Sequence, residues 1–408
     1  MRIAIIGSAF SGNKGAAAML ESSVQHLSRA GDGRNSFVLL SMYPRSDAAQ
    51  NPYPNLRVLD ANALRLGVLI NGAALLHRLL PPLRKTIRNA VPEVKALAEA
   101  DVLLDEGGIT FVDGRGKFLI YNMASILPAL FVGTPVVKVA QALGPFKEPL
   151  NRRAAKMLLP RMAAIISRGA ITHEHLLGLG LTNVHAGADL AFTLEVTAED
   201  VATAETKVDT GFFAGGNVVG FSPSAVLAKS AAARGEDYVA EVAGQIDHIT
   251  GNLERPVFLV AHSARAHTAK THNNDLPLCR AIYDAVADKS KVLFVDDELS
   301  SQALRYLIGR CDVFVASRFH AMVSSLSMKV PTLVIGWSHK YREVLDMFGQ
   351  SDLAVGHQDL DDARFVALLD DLLARRAEIH AEIATRLPAV QAKAMEQIDT
   401  IVEVAECR

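Results

Sequence analysis

The sequence predicts an α/β protein of two Rossmann-like domains facing across a cleft. Three observations point to it. Short apolar runs alternate with helical patterns in both halves, each half opens on a strand, a Gly/Ser-rich turn and a helix, and 408 residues exceed what one hydrophobic core usually supports. In the first half the strand candidates are Ile3–Ile6, Ser36–Met42, Asp101–Leu104, Val136–Ala140, Ala164–Ser167 and Val184–His185. Helical patterns lie between them at Gly15–Ala30, Leu64–Leu80, Asn122–Phe131 and Asn151–Leu159. In the second half, a strand and turn are expected over Asn217–Ser224, strands at Val257–Ala261, Val292–Val295, Val313–Ala316 and Leu333–Gly336, and helices at Asp237–Gly251, Asp275–Asp288 and Ser300–Ile308. Two further helices, Asp361–Arg375 and Ala389–Ala405, end the chain. The acidic, Thr-rich stretch Asp189–Asp209 reads as the linker. The expected domains are therefore residues 1–195, 210–388, and a terminal helix 389–408 that packs back on the first domain. In glycosyltransferase terms this is a GT-B-like layout.

Composition excludes several classes. Half the residues are apolar, 21% are charged and the net charge is −2, so general nucleic-acid binding through a basic patch is not expected. Cys279, Cys311 and Cys407 are isolated thiols, which fits a reducing, cytoplasmic setting. Met1–Gly7 reads as a first strand and not as a signal peptide. Leu64–Leu80 is rich in Leu, Ile, Val, Ala and Gly but falls short of the roughly 20 residues that span a bilayer. Followed by Arg84, Lys85 and Arg88, it suits either a helix of the first domain or a basic-flanked segment on a membrane surface. Metal chemistry is not expected: the 13 histidines are dispersed, and His173-Glu174-His175 has the wrong spacing for a helical zinc pair.

The residues that carry chemistry gather at predicted strand ends, where open α/β sheets bind ligands. Ser317-Arg318-Phe319-His320 closes the strand Val313–Ala316. Arginine offers a rigid fork for phosphate or carboxylate, and histidine moves protons near neutral pH. Ser167-Arg168 ends its strand in the same manner, so Arg168 and Arg318 suit the two ends of one small dianion; an ordinary surface arginine is the alternative for Arg168. Gly12-Asn13-Lys14-Gly15 joins the first strand to the first helix, either as a ligand loop or as a tight turn. Glu106 and Gly107, in Asp105-Glu106-Gly107-Gly108, either put a carboxylate beside an open turn where it can deprotonate or orient a hydroxyl, or belong to a helix cap or a water-facing loop. His262 ends another strand, and Trp337, His339 and Lys340 follow the strand Leu333–Gly336.

With these residues together, the chain resembles the polysaccharide pyruvyl transferase family. The stretch from Ser317-Arg318-Phe319-His320-Ala321-Met322 through Val330-Pro331-Thr332 to Ser338-His339-Lys340-Tyr341 is similar to that family's C-terminal signature. Gly12–Gly15, Glu106-Gly107-Gly108, Gln141–Phe146, Ser167-Arg168 and Asp189 follow in the family's order. The resemblance implies a GT-B-like fold and transfer of a pyruvyl group from phosphoenolpyruvate to two hydroxyls of a saccharide, giving a cyclic ketal. By the same resemblance Arg318 and Arg168 hold the donor and His320 is the general acid, with no cofactor beyond the donor substrate. Asn13, Lys14, Glu106, Gly107, His262, His339 and Lys340 are the expected substrate-binding residues, for an acceptor that can be lipid-linked. The alternative from layout alone is a glycosyltransferase or epimerase that uses a nucleotide sugar.

Overall fold

The computed structural model describes residues 1–265, 273–336 and 339–408, leaving aside the side chains of residues 339 and 340. It divides into two compact units. The first comprises Met1–Ser11, Met19–Thr193 and Gln391–Arg408; the second comprises Gly12–Ala18 and Leu194–Val390. The segment Gly12–Ala18, read from sequence as part of the first domain, thus belongs to the second unit.

Each unit is built on a parallel sheet of the same winding. In the first, neighbouring strands are Leu56–Asp60, Ser36–Ser41, Arg2–Ile6, Val102–Asp105, Val136–Gly144, Ala164–Ser167 and Val184–Ala186. The short Ile109–Val112 pairs along the far end of Val136–Gly144. In the second, the order is Val292–Phe294, Val257–Leu259, Val219–Ser222, Val313–Ala316, Thr332–Gly336 and Ala354–Gly356. By rank in the chain, both sheets begin 3-2-1-4, as in the doubly wound order. That order has one consequence for function. The winding reverses between the first and fourth strands, and the crevice outside their carboxyl ends is where such sheets take ligands. In the first unit this point lies between Ile6 and Asp105, which are register partners; in the second it lies between Ser222 and Ala316, also partners.

Parallel strands buried on both faces need apolar residues at every position, and these have them. In the first unit Ile3 and Ile5 point into one core with Val102, Leu104 and Val137, while Ala4 and Ile6 point into another with Leu103 and Val136. The second unit buries Phe221, Phe258, Phe314, Val315, Leu333 and Val334 in the same way.

The chain's end departs from expectation. One helix, Asp362–Glu406, replaces the two predicted, with Pro388 inside it. Residues 376–388 continue the helix because Ile379, Ile383 and Leu387 form a buried stripe at intervals of four, among strong helix formers. From Gln391 onward the helix belongs to the first unit, where Ile398, Ile401 and Ala405 join the core of Ile3 and Ile5.

Gln397 fixes that end to a defect in the sheet. The pairing of Val136–Gly144 with Ala164–Ser167 shifts register between Lys138 and Gln141. Ala140 N–H instead donates to Gln397 Oε1 at 2.9 Å, and Gln397 Nε2 donates to Ala188 O at 2.7 Å. Gln397→Leu would strand both buried backbone groups and should destabilise the protein by about 2–4 kcal/mol, read as a lowered urea midpoint. Gln397→Glu, which keeps the acceptor for Ala140, should lose less at low pH than at high pH.

Candidate functional site

In the second unit the switch point is occupied by the loop after Val313–Ala316. Arg318 is the N-cap of the helix Phe319–Ser327 and has extended backbone angles. Its Nε donates to Asp275 Oδ2 at 2.8 Å, its Nη2 to Asp275 Oδ1, and its Nη1 to Asn273 Oδ1 at 2.9 Å. These bonds account for three of the five guanidinium N–H groups. Burial works against the Arg318 charge, and the Asp275 carboxylate more than offsets it, so the guanidinium's pKa is raised. Asp275 is itself fully buried. Its oxygens also accept from Ala225 N–H at 2.9 Å and Ser263 N–H at 3.0 Å, so one carboxylate ties three loops to the arginine.

His320 sits two residues on, and its ring stands edge-on to Phe319, centroids 5.0 Å apart. The Gly12–Gly15 segment lies directly against it: a Cβ on Gly15 would overlap the His320 imidazole at Cγ and Nδ1. The segment is held in place by several bonds. Gly12–Asn13 pairs antiparallel with Ser263–Ala264, Lys14 N–H donates to His262 O, and Ser301 Oγ donates to Lys14 O at 3.0 Å. Glu298 Oε1 takes both Gly12 N–H at 3.0 Å and the buried Lys14 ammonium at 2.7 Å. His262 is buried, and its pKa falls well below the ordinary value because burial disfavours its charge, with His320, Arg318 and Arg305 adding positive potential. At neutral pH it is an uncharged imidazole.

Asn13, Lys14, His262, Arg318 and His320 are therefore brought together. His339 and Lys340 open the helix His339–Met347, while Trp337 and Ser338 lie outside the described residues. Tyr341, in the same helix, donates its hydroxyl to Ser317 O at 3.3 Å and packs on Phe319. A cavity of about 430 Å³ opens there, lined by Gly336, Tyr341, Arg342, Arg234 and His357.

Two residues of this cluster escaped the sequence reading, Glu298 and Arg305, and nothing in the sequence paired Asp275 with Arg318. Arg305 carried the clearest signal. It interrupts the apolar stripe of Ala303, Leu304, Leu307 and Ile308 on one helix, and it is 2% exposed, donating to Leu194 O at 2.9 Å.

The first unit holds a second polar cluster at its own switch point. Gly7 approaches Gly107 so closely, at φ +91°, that a Cβ would meet Gly107 N at 2.6 Å. Asp105 pairs with the buried Lys138 and accepts Gly107 N–H at 3.0 Å. Glu106, the next residue, is 1% exposed and accepts the Ser23 hydroxyl at 2.5 Å. Burial pushes its carboxyl up to about 7; hydrogen bonds from Ser23 and Ser8 moderate the rise, and the charges of Asp105 and Asp189 add to it. Arg168, 5% exposed, donates to Asp189 Oδ2 at 3.3 Å and lies beside the Gly107-Gly108 turn. Glu106, Gly107 and Arg168 thus form one group.

The sequence pattern of the polysaccharide pyruvyl transferase family matches residues 13–339. The amylovoran biosynthesis protein AmsJ of Erwinia amylovora is 25% identical over 410 residues, covering 94% of this chain and 95% of that one. Among solved structures, the UDP-GlcNAc 2-epimerase of Neisseria meningitidis bound to UDP-GlcNAc aligns with TM-score 0.62 at 10% identity, over 99% of this chain and 100% of that one. A glycosyltransferase of Rickettsia africae aligns with TM-score 0.54 at 9% identity, over 98% of each chain. At such identities the likeness is one of fold, a GT-B-like pair of α/β units.

Two predictions come from this geometry. An acid that ionises at about 7 in the fold and near 4.5 in the unfolded chain holds its proton more tightly when folded. Stability therefore falls as pH rises from about 4.5 to about 7 and is flat above that range. Glu106→Gln, which keeps an acceptor for Ser23, should remove this slope. It should match the parent at pH 4.5 and exceed it at pH 8 by up to about 3 kcal/mol in denaturant titrations. Gly15→Ala should displace the His320 ring. The displacement should be read as shifted His320 side-chain NMR resonances, with the fold retained by circular dichroism.

Proposed function

The chain belongs to the polysaccharide pyruvyl transferase family, and from that premise we propose that it transfers a pyruvyl group from phosphoenolpyruvate to two hydroxyls of a saccharide, forming a cyclic ketal. The name of the E. amylovora relative supports an acceptor from polysaccharide biosynthesis. The observation that carries the reading is the placement of His320 at the second unit's switch point. It stands beside the charged Arg318 and the neutral His262, and glycine backbone at Gly15 leaves the ring its space.

The chemistry asks for one acid and fixed positive charge. His320 protonates C3 of the enol, which becomes the methyl group, and C2 becomes cationic. One sugar hydroxyl attacks C2, the C2–O bond to phosphate breaks, and the second hydroxyl closes the ring. Of the two hydroxyl protons, one replaces the proton given by His320 and the other leaves on phosphate, so the step balances without a redox partner. Arg318 is the fixed cation for the donor's anionic groups, held in orientation by Asp275 so that little reorganisation is needed. Arg168 carries the same kind of charge in the first unit, oriented by Asp189. Glu106, poised at about 7, is suited within the first unit to take up and return a hydroxyl proton in passing, without being its final acceptor. Asn13 and Lys14 shape the floor under His320, with Lys14 neutralised by Glu298. His339 and Lys340 stay in the proposed substrate-binding set on the sequence resemblance alone.

The decisive test is incubation with phosphoenolpyruvate and candidate glycans, following phosphate release and the acceptor's mass. Phosphate release with ketal formation is expected. Thermal stabilisation by a uridine diphosphate sugar, with phosphoenolpyruvate silent, would overturn the proposal in favour of nucleotide-sugar chemistry. On a working acceptor, His320→Gln should abolish turnover while phosphoenolpyruvate still raises the melting temperature, and Arg318→Lys should lose that stabilisation. The acidic limb of the pH–rate profile should break near 7 and vanish in Glu106→Gln.

A further inference from the structure

We propose that the segment Leu64–Arg88 docks the protein on an anionic membrane surface. The proposal stands on observations in the first unit and is independent of the reaction assigned above.

The segment folds as a π-helical turn, Arg65–Ile70, running into the helix Asn71–Leu79, then Pro81–Leu83 and the helix Arg84–Ala90. One face is an ordinary core face: Leu66, Ile70, Ala73 and Ala74 are buried among Leu97, Ile126 and Leu103. A surface helix should then be polar on its other side. Here it is not. Leu64, Val68 and Leu79 are 76%, 67% and 62% exposed, and Leu69, Leu75, Leu76, Leu80 and Leu83 are exposed with them. Isolated exposed leucines are unremarkable, but eight large apolar side chains within twenty residues mark an interaction surface.

The charge pattern selects the occupant. Between Ala61 and Pro92 the chain carries Arg65, Arg78, Arg84, Lys85 and Arg88 and neither Asp nor Glu. Arg65 is paired with Glu93. Among the described residues, Arg78, Arg84, Lys85 and Arg88 have no carboxylate partner within ion-pair distance. Arg84 Nε donates to His77 O, and Arg88 Nε donates to His77 Nε2, each at 3.0 Å, so His77 clamps the basic helix against the leucine helix. Burial lowers the His77 pKa, helped by the two arginines, which keeps that ring nitrogen an acceptor. An apolar ridge with adjoining uncompensated cations is the surface that an anionic bilayer complements. Protein hot spots are rich in Trp and Tyr, whereas residues 61–92 contain no aromatic residue other than His77. No helix among the described residues is long and apolar enough to cross a membrane, so the ridge lies on the bilayer and does not span it.

Flotation of the full chain with vesicles tests this. The protein should float with phosphatidylcholine vesicles containing phosphatidylglycerol, less with phosphatidylcholine alone, and less again at high salt. Leu76→Asp with Leu79→Asp should reduce the bound fraction about tenfold or more, with unchanged circular dichroism and melting temperature because both residues are exposed. Arg84→Glu with Lys85→Glu should remove the dependence on phosphatidylglycerol. No flotation on anionic vesicles overturns the proposal. So does flotation undiminished in the leucine variant, or a dimer in sedimentation that the same variant dissociates, since a second copy would then cover the ridge.

Discussion

The second unit is organised around one buried ion pair. Asp275 has no access to water, and a carboxylate in that position needs full compensation. It obtains this from the two-pronged bond to Arg318 and from the backbone N–H groups of Ala225 and Ser263. Loops after three different strands are thereby fixed to one another, and the arginine keeps its charge despite burial. Removal of either partner leaves the other charge buried alone, which costs on the order of 3–5 kcal/mol. The pair contributes more to orientation than to stability. A guanidinium held this way presents its remaining N–H groups in a fixed direction, as electrostatic catalysis demands.

Topology decides where that orientation is used. Both sheets reverse their winding beside the first strand, and in both the reversal collects polar residues that the sequence disperses. In the first unit the meeting of Gly7 with Gly107 requires backbone without a Cβ, and this brings Glu106 under Ser23. In the second unit Gly15 meets His320 under the same requirement. The two glycine turns do equivalent work although their sequences share no motif.

The alternation of strands and helices was legible because it depends on local period and burial, and the strand Val313–Ala316 that leads into Arg318 and His320 was placed correctly for that reason. What the sequence hid was tertiary. Arg318 finds its carboxylate 43 residues away, across a loop whose spacing carries no code. The two-residue strands Gly12–Asn13 and Ser263–Ala264 are too short to show a period, so the transfer of Gly12–Ala18 to the second unit had no local signal. The long terminal helix was misread for a different reason: Pro388 and a charged stretch obscured the buried stripe of Ile379, Ile383 and Leu387, which was there to be counted. Leu64–Leu80 was ambiguous between core and surface because it is both, with one apolar face buried and the other exposed.

Burial acts in opposite directions on the titratable groups of the two clusters. It raises the Glu106 carboxyl to about 7 and drives the His262 imidazole well below its ordinary value, so each tends toward its neutral form. The arginines cannot respond in that way. Arg168 and Arg318 stay charged and instead recruit Asp189 and Asp275. The fold therefore separates two tasks by side-chain chemistry. Permanent charge resides in guanidinium groups, each held by a buried carboxylate. The Glu106 carboxyl and the His262 imidazole, by contrast, are both drawn toward their neutral forms by burial. On the proposed reaction this separation has a use, because a single group that both held the anion and gave up a proton would lose its grip on the anion as it did so.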